Sequence, residues 1–383
     1  MRVAVLCGLG LATLGRADDP KPFTPAERFQ ALAKEYTDAE KAFQEAWRKA
    51  PEEDKKRVAE ARPKAASPDA YADRMLALAT EHPTDFTAAR VAYWLITNCG
   101  GTPQARKATA IAVREHAADA RLESVCRAFF HAPRQGAALL RAAVEKSPHR
   151  AVQGVARFAL GKMAKEQAEY EATLPDHLPE SVRKHEAEAA DFFRQVVEKY
   201  ADLPGRNRPL GEEAGKHLFE LEHLTVGKVA PDITGTDLDG KPFKLSDYRG
   251  QVVLLHFWGS WCGPCLAESP HFQKLLRRYA EQPFAVVGVA RDTDRAVSKA
   301  AGDKVGMPGR SLFDGPAGPV NARWNVTGWP TLYLLDAVGV IRYKGDMLRA
   351  TSVRKNTGGV LEQFWYLDDY VEALMTEQAK RKK

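Results

Sequence analysis

The chain runs to 383 residues, 44% apolar and 28% charged, which suits two or three globular domains with ample core and excludes a disordered chain or a small disulfide-dense scaffold. With 56 basic against 50 acidic residues the formal charge is only +6, too mild to argue for nucleic acid as a partner. The basic end, Lys380 to Lys383, reads as a solvated tail.

At the start, Arg2 precedes an apolar run from Val3 to Leu14 and then Gly15-Arg16-Ala17, with small residues at the first and third positions. This pattern predicts a secretory signal over residues 1–17, cleaved after Ala17, against the plainer alternative of a buried N-terminal strand or helix. The run is shorter than the ~20 residues a bilayer crossing needs. The mature chain is therefore expected to have no transmembrane span and to work in an exported, periplasmic or extracytoplasmic setting. Export removes Cys7 and leaves Cys99, Cys126, Cys262 and Cys265 in an oxidising compartment.

From Phe23 to about Thr225 the composition shifts to Ala, Glu, Arg, Lys and Leu, so residues 18–225 are expected to form an all-α domain. Proline follows a small or polar residue at Thr24-Pro25, Ser67-Pro68, Thr102-Pro103, Ala132-Pro133 and Ser147-Pro148, as it does at helix starts, where no amide donor is needed. Short helices are predicted at Tyr71 to Glu81, Phe86 to Thr97, Gln104 to His116, Arg121 to Phe130, Gln135 to Glu145 and Arg150 to Lys165. Equivalent starts fall about 30–35 residues apart, the period of helix-turn-helix repeats. This reads as a short TPR-like solenoid, flanked by longer helices at Pro25 to Trp47 and Glu180 to Tyr200. A solenoid offers a concave partner-binding face; a plain bundle would act as a spacer, and both stay open.

Tyr93, Trp94, Phe129, Phe130, Phe192 and Phe193 stand at helical spacing with aliphatics and read as core. The ten histidines are scattered, and although His177 and His185 lie near acids, no two sit four apart on a helix with an acid, so no metal or other cofactor is expected. Cys99 and Cys126 could bridge, but free buried thiols are the favoured reading.

Pro204 to Pro209 breaks the helical pattern as a linker would, before a last helix at Glu212 to Leu224. The period then turns strand-like. Ile233 to Leu238 and Pro242 to Leu245 flank Asp239-Gly240, a hairpin signal, and Val252 to Phe257 is apolar throughout, as a strand covered on both faces should be. Further strands are predicted at Phe284 to Val289, Thr331 to Leu335 and Val340 to Tyr343, with a closing amphipathic helix over Val360 to Thr376. Between the Val252 to Phe257 and Phe284 to Val289 runs stands Cys262-Gly263-Pro264-Cys265, at a strand-to-helix turn. A cysteine there meets unpaired backbone N–H groups and the positive end of the helix dipole, so Cys262 is expected to be a low-pKa nucleophile. Cys265, three residues on, is placed to attack a mixed disulfide and release the product.

Trp261-Cys262-Gly263-Pro264-Cys265 resembles a thioredoxin active site, and its surroundings resemble the TlpA/ResA branch of thiol-disulfide oxidoreductases. The matching runs are Gly227 to Asp232, Leu238 to Lys241, Leu245 to Gly250, Glu268 and Pro270, Val286 to Val289, and Val326 to Thr331. The resemblance covers residues 226–383 and implies an α/β thioredoxin fold there, with an extra strand at Arg310 to Asp314. It implies disulfide-containing or dithiol proteins as partners. It also implies that Pro330 is the cis-proline facing the cysteines, that Trp261, Trp329 and Gly328 line the substrate surface, and that Glu268 accepts the proton of Cys265. A surface glutamate is the plainer reading of Glu268. His256 departs from the pattern, standing where thioredoxins carry a buried aspartate; a neutral packed ring is favoured over a proton shuttle. Two other functions fit the residues less well. A peroxide reductase would need proline and threonine where Leu255 and Gly259 stand, and a non-catalytic binding protein would have no use for both cysteines and Pro330.

Overall fold

The computed structural model describes residues 23–131, 136–172, 179–344, 353–357, 360–364 and 366–381; the signal-like stretch 1–17 lies outside them. The chain divides into two compact units, with the boundary at Gln153/Gly154.

The first unit is helical. Its helices are α1 (Pro25–Lys49), α2 (Lys55–Glu60), α3 (Asp69–Glu81), α4 (Thr87–Asn98), α5 (Pro103–His116), α6 (Leu122–Ala128) and α7 (Ala137–Lys146); all but the short α2, which was not predicted, lie within a few residues of expectation. Sequence chemistry sets the starts. Thr24 and Glu27 close a capping box ahead of Pro25, and Thr102 caps α5 through the Ala105 amide ahead of Pro103. Helix α4 buries Val91, Ala92, Trp94, Leu95 and Ile96 because α3 and α5 both pack on it. Tyr36, Tyr71 and Trp94 meet edge to face at ring separations of 5.4 to 6.4 Å. Cys99 and Cys126 are both buried and free.

The second unit joins three helices to a sheet. After α8 (Arg150–Ala172), in which the boundary falls, come α9 (Pro179–Lys199) and α10 (Leu210–His223), packed side by side. The Pro204 to Pro209 stretch is a hydrogen-bonded turn inside this unit: the Gly205 amide donates to the Arg208 carbonyl at 3.0 Å and Leu210 to Leu203 at 2.8 Å. The helices at 154–224 thus share a unit with the sheet, whereas the sequence reading ended its helical domain at 225. Leu224 lies in the core of the sheet, with Phe219 packed against it.

A hairpin of β1 (Thr234–Thr236) and β2 (Pro242–Lys244) precedes the main sheet. That sheet runs β5-β4-β3-β6-β7, from β3 (Val252–Trp258), β4 (Phe284–Ala290), β5 (Arg310–Phe313), β6 (Thr331–Leu335) and β7 (Ile341–Lys344). Strands β3, β4 and β5 are parallel, while β6 and β7 are antiparallel to their neighbours. On β3, Val253, Leu255 and Phe257 face a cluster with Phe243, Trp324 and Tyr333; Val252 and Leu254 face α12 (Ser269–Arg278) and α15 (Tyr366–Arg381). Both faces are covered, which explains the unbroken apolar run. With α11 (Gly263–Ala267) after β3, this is the expected thioredoxin order. The inserted strand β5 forms one edge of the sheet, preceded by α13 (Arg295–Val305) and followed by α14 (Pro319–Arg323). Gly288 on β4 is required there: a Cβ would sit 2.1 Å from Ser311 Oγ and 2.8 Å from Trp258 Nε1, which themselves hydrogen-bond at 3.2 Å.

One element departs from expectation. Val360–Phe364 is not the start of the closing helix but strand β9, paired antiparallel with β8 (Val353–Thr357), and α15 begins only at Tyr366. Gly358-Gly359 between two β-prone runs is the hairpin signature the helical pattern obscured.

Candidate functional site

Buried strand β3 delivers its last residue, Trp258, to the C-terminal edge of the parallel strands, where open α/β sheets place their sites. The turn that follows is tight: a Cβ on Gly259 would lie 2.7 Å from Trp261 Nε1. Cys262 is the N-cap of α11, Pro264 sits in its first turn, and the Cys265 amide donates to Cys262 Sγ at 3.2 Å. The two cysteines form a disulfide with Cα atoms 5.2 Å apart. Cys265 is fully buried, while Cys262 keeps 5% exposure and is the sulfur a partner can reach.

Asp292, just past β4, holds the turn in place, and sequence reasoning missed it. Its buried carboxylate accepts from the Ser260 amide at 3.1 Å, from Ser260 Oγ at 2.7 Å and from Ser298 Oγ at 2.7 Å. The signal that could have found it is its place at the end of a parallel strand adjoining the motif strand.

Around the cysteines lies an aromatic platform. Trp261 is 58% exposed, stands edge to face with Trp329 at 5.1 Å, and donates from Nε1 to the Arg291 carbonyl at 3.1 Å. The Arg291 guanidinium lies 5.0 Å over the Trp329 ring. The Trp329-Pro330 peptide is cis, as the resemblance implied, and Gly328 beside it is exposed. Cys262, Cys265 and Trp329 share one apolar cluster with Trp258 and Ala290.

Glu268 links α11 to α12, its side chain 19% exposed, with Oε2 3.7 Å from His271 Nδ1. His271 Nε2 in turn meets Asp368 Oδ1 of α15 at 2.7 Å. Neither His271 nor Asp368 was singled out from sequence. His256 is buried, stacked on Trp258 and edge-on to Phe272. Burial pulls its pKa down to about 3, so the ring is neutral near pH 7, and its Nε2 has no hydrogen-bond partner among the described residues. Cys99 and Cys126 lie in the other unit; burial, then Asp69 and Glu123 respectively, pushes their thiols up to about 11 and about 12. Among the described residues no three His, Cys, Asp or Glu side chains converge as a metal site, and no helix is long and apolar enough to cross a membrane.

The AhpC/TSA family model matches residues 226–344. The thiol-disulfide oxidoreductase ResA of Geobacillus kaustophilus is 34% identical over 123 residues, covering 32% of this chain and 70% of that protein. The thioredoxin-like protein YneN of Bacillus subtilis is 38% identical over 123 residues, covering 31% of this chain and 70% of its own. Among solved structures, the thioredoxin domain of a thiol-disulfide oxidoreductase from Bacteroides vulgatus matches 39% of this chain and 98% of its own, with 26% identity and a TM-score of 0.33.

Proposed function

The chain belongs to the thioredoxin-like family that includes the ResA thiol-disulfide oxidoreductases, and from that premise we propose that it is an exported enzyme whose Cys262/Cys265 dithiol exchanges disulfides on other proteins. The observation that carries this reading is the Cys265 amide donating to Cys262 Sγ at the start of α11: the same N–H stabilises the thiolate once the disulfide is opened.

In the direction that reduces a partner, the Cys262 thiolate attacks one sulfur of the partner's disulfide. A Cys262–partner bond forms, the partner S–S bond breaks, and the second partner sulfur leaves as thiolate and takes a proton from water. Cys265 then gives its proton to Glu268 and attacks Cys262 Sγ, which breaks the mixed disulfide and releases the first partner sulfur. The partner gains two electrons, and the protein ends with its Cys262–Cys265 disulfide. An external dithiol donor restores it; with an oxidised protein and a dithiol partner the same steps run in reverse. Trp261, Trp329, Gly328 and Pro330 form the surface on which the partner segment lies.

Export is supported by the apolar run Val3 to Leu14 and the small-residue end at Ala17. The helical-repeat reading of the N-terminal region gives it a docking or spacing role. Turbidity from insulin reduction by the full chain with dithiothreitol tests the chemistry. The wild type should accelerate precipitation and Cys262→Ser should not; equal rates for both would refute the proposal, and catalysed peroxide consumption without insulin reduction would replace it with a peroxide reductase.

A further inference from the structure

The segment that leaves β4 is tied to the reactive turn at Arg291. Its amide donates to the Trp258 carbonyl at 2.9 Å, and its own carbonyl accepts from Trp261 Nε1 at 3.1 Å. The side chain is fixed as well. Nε and Nη2 both donate to the Pro316 carbonyl, at 3.2 and 3.1 Å, and the guanidinium lies 5.0 Å over the ring of Trp329, which packs on the cluster holding Cys262 and Cys265. Pro316 stands in the turn between the inserted strand β5 and α14, so the insert itself aims this cation at the edge of the dithiol surface.

The charge is uncompensated. Arg278, Arg310 and Arg342 of the same unit each pair with a carboxylate, whereas among the described residues none pairs with Arg291, and its Nη1 makes no hydrogen bond. The carboxylate next to it in sequence, Asp292, is taken up by Ser260 and Ser298. A guanidinium already ordered in this way loses little freedom when it engages a carboxylate, and its remaining N–H groups can form charge-assisted bonds.

Given the exchange chemistry proposed above, we propose that Arg291 selects the partner: it receives a carboxylate on the partner segment beside the disulfide, so that the enzyme acts preferentially on cysteines flanked by Asp or Glu. Exposed Trp261 and half-buried Trp329 supply apolar area that accepts any segment; the cation tells one segment from another. A basic side chain in the same place is repelled, so the one residue both attracts and excludes.

Single-turnover reduction by the reduced full chain tests this. The substrates are peptides with one internal disulfide that differ only in the residue beside a cysteine: Glu, Gln or Lys. Two electrons pass from the Cys262/Cys265 dithiol to the peptide disulfide, which becomes two thiols as the protein closes its own disulfide; acid quench and mass spectrometry count the products. Each rate constant is divided by that of the same peptide with dithiothreitol, which removes the peptide's intrinsic reactivity. For the wild type the Glu peptide should react about fivefold faster than the Gln peptide, the upper end for an ion pair in contact with solvent, and the Lys peptide should react more slowly than the Gln peptide. In Arg291→Gln the Glu-to-Gln ratio should fall to about one, while Arg291→Lys, which keeps the charge without the planar fork, should retain part of it. Because the ratio is taken within one protein, a general loss from altering the platform cancels. On the wild type alone, about 1 M salt should collapse the ratio, since screening then reaches to ~3 Å, and a Glu placed far along the peptide from the disulfide should give no gain. Wild-type reduction without preference for Glu, a ratio retained in Arg291→Gln, or an equal gain from the distant Glu would overturn the inference. Failure to reduce any of the peptides would instead overturn the exchange reading.

Discussion

Replacing Glu220 by Gln should destabilise the second unit by about 3 kcal/mol, the largest effect we expect from any change that keeps side-chain volume. Glu220, on α10, is 13% exposed and lies 2.6 Å from Lys344 Nζ on β7 and 3.2 Å from Lys165 Nζ on α8, with the Asn325 amide donating to it at 3.3 Å. Burial opposes its ionisation, yet Lys344 and then Lys165 hold its carboxyl down to about 2, against an ordinary 4.5. At about 1.4 kcal/mol per pH unit that difference is about 3 kcal/mol. Breaking a buried pair costs about 3–5 kcal/mol, and the low end applies because Lys165 keeps Glu169 at 2.7 Å. For a unit of this size the melting temperature should fall by about 6–12 °C. Because the folded pKa is depressed, the stabilisation is fully present above pH 4.5 and is lost as pH falls toward 2. Urea unfolding of the full chain at pH 7 and at pH 3 should show the wild-type advantage shrinking at the lower pH, and adding Lys344→Met to Glu220→Gln should recover part of the loss. A melting shift under ~2 °C, or an advantage independent of pH, would refute the reasoning.

After reduction, iodoacetamide should label Cys262 with a midpoint well below the ~8.5 of a free cysteine, while Cys99 and Cys126, buried and pushed up to about 11 and about 12, should label only on unfolding; a Cys262 midpoint near 8.5 would remove the helix-start argument. Asp292→Asn places an amide among the two Ser260 donors and the Ser298 hydroxyl, at a cost of about 1–3 kcal/mol, and should slow exchange about tenfold; a rate within twofold would show that the turn holds itself. A fragment starting at Val226 should keep exchange activity but melt roughly 10–20 °C below one starting at Gly154, since it lacks both buried Leu224, worth about 2 kcal/mol, and Glu220, worth about 3 kcal/mol; equal melting would separate the helices from the sheet.

Local signals carried most of the fold. Strand β3 and the helices α3 to α5 were readable because burial of a whole strand or of one helix face writes directly into apolar spacing. The dithiol was readable because its chemistry sits in four consecutive residues. What escaped depends on distant pairs: Asp292 meets Ser260 across 32 positions, and Asp368 meets His271 across 97. No periodicity encodes such a contact, and an aspartate after a strand or in a terminal helix looks like any solvated one. Glu220 with Lys344, 124 positions apart, was hidden in the same way, and it ties α10 to the sheet edge where the composition shift suggested a boundary. The pairing of β8 with β9 was missed for the opposite reason, since Val360 to Thr376 carries enough helical spacing to hide a strand at its start.

The central claim is that Cys262 attacks and Cys265 resolves. Full-length Cys265→Ser protein, mixed with a disulfide-bonded peptide and analysed by intact and peptide mass spectrometry, tests it most directly. The account predicts a persistent adduct of one peptide chain mapped to Cys262, absent from Cys262→Ser and rapidly cleared in the wild type. An adduct on Cys99 or Cys126, or a folded Cys265→Ser protein that captures nothing, would contradict it.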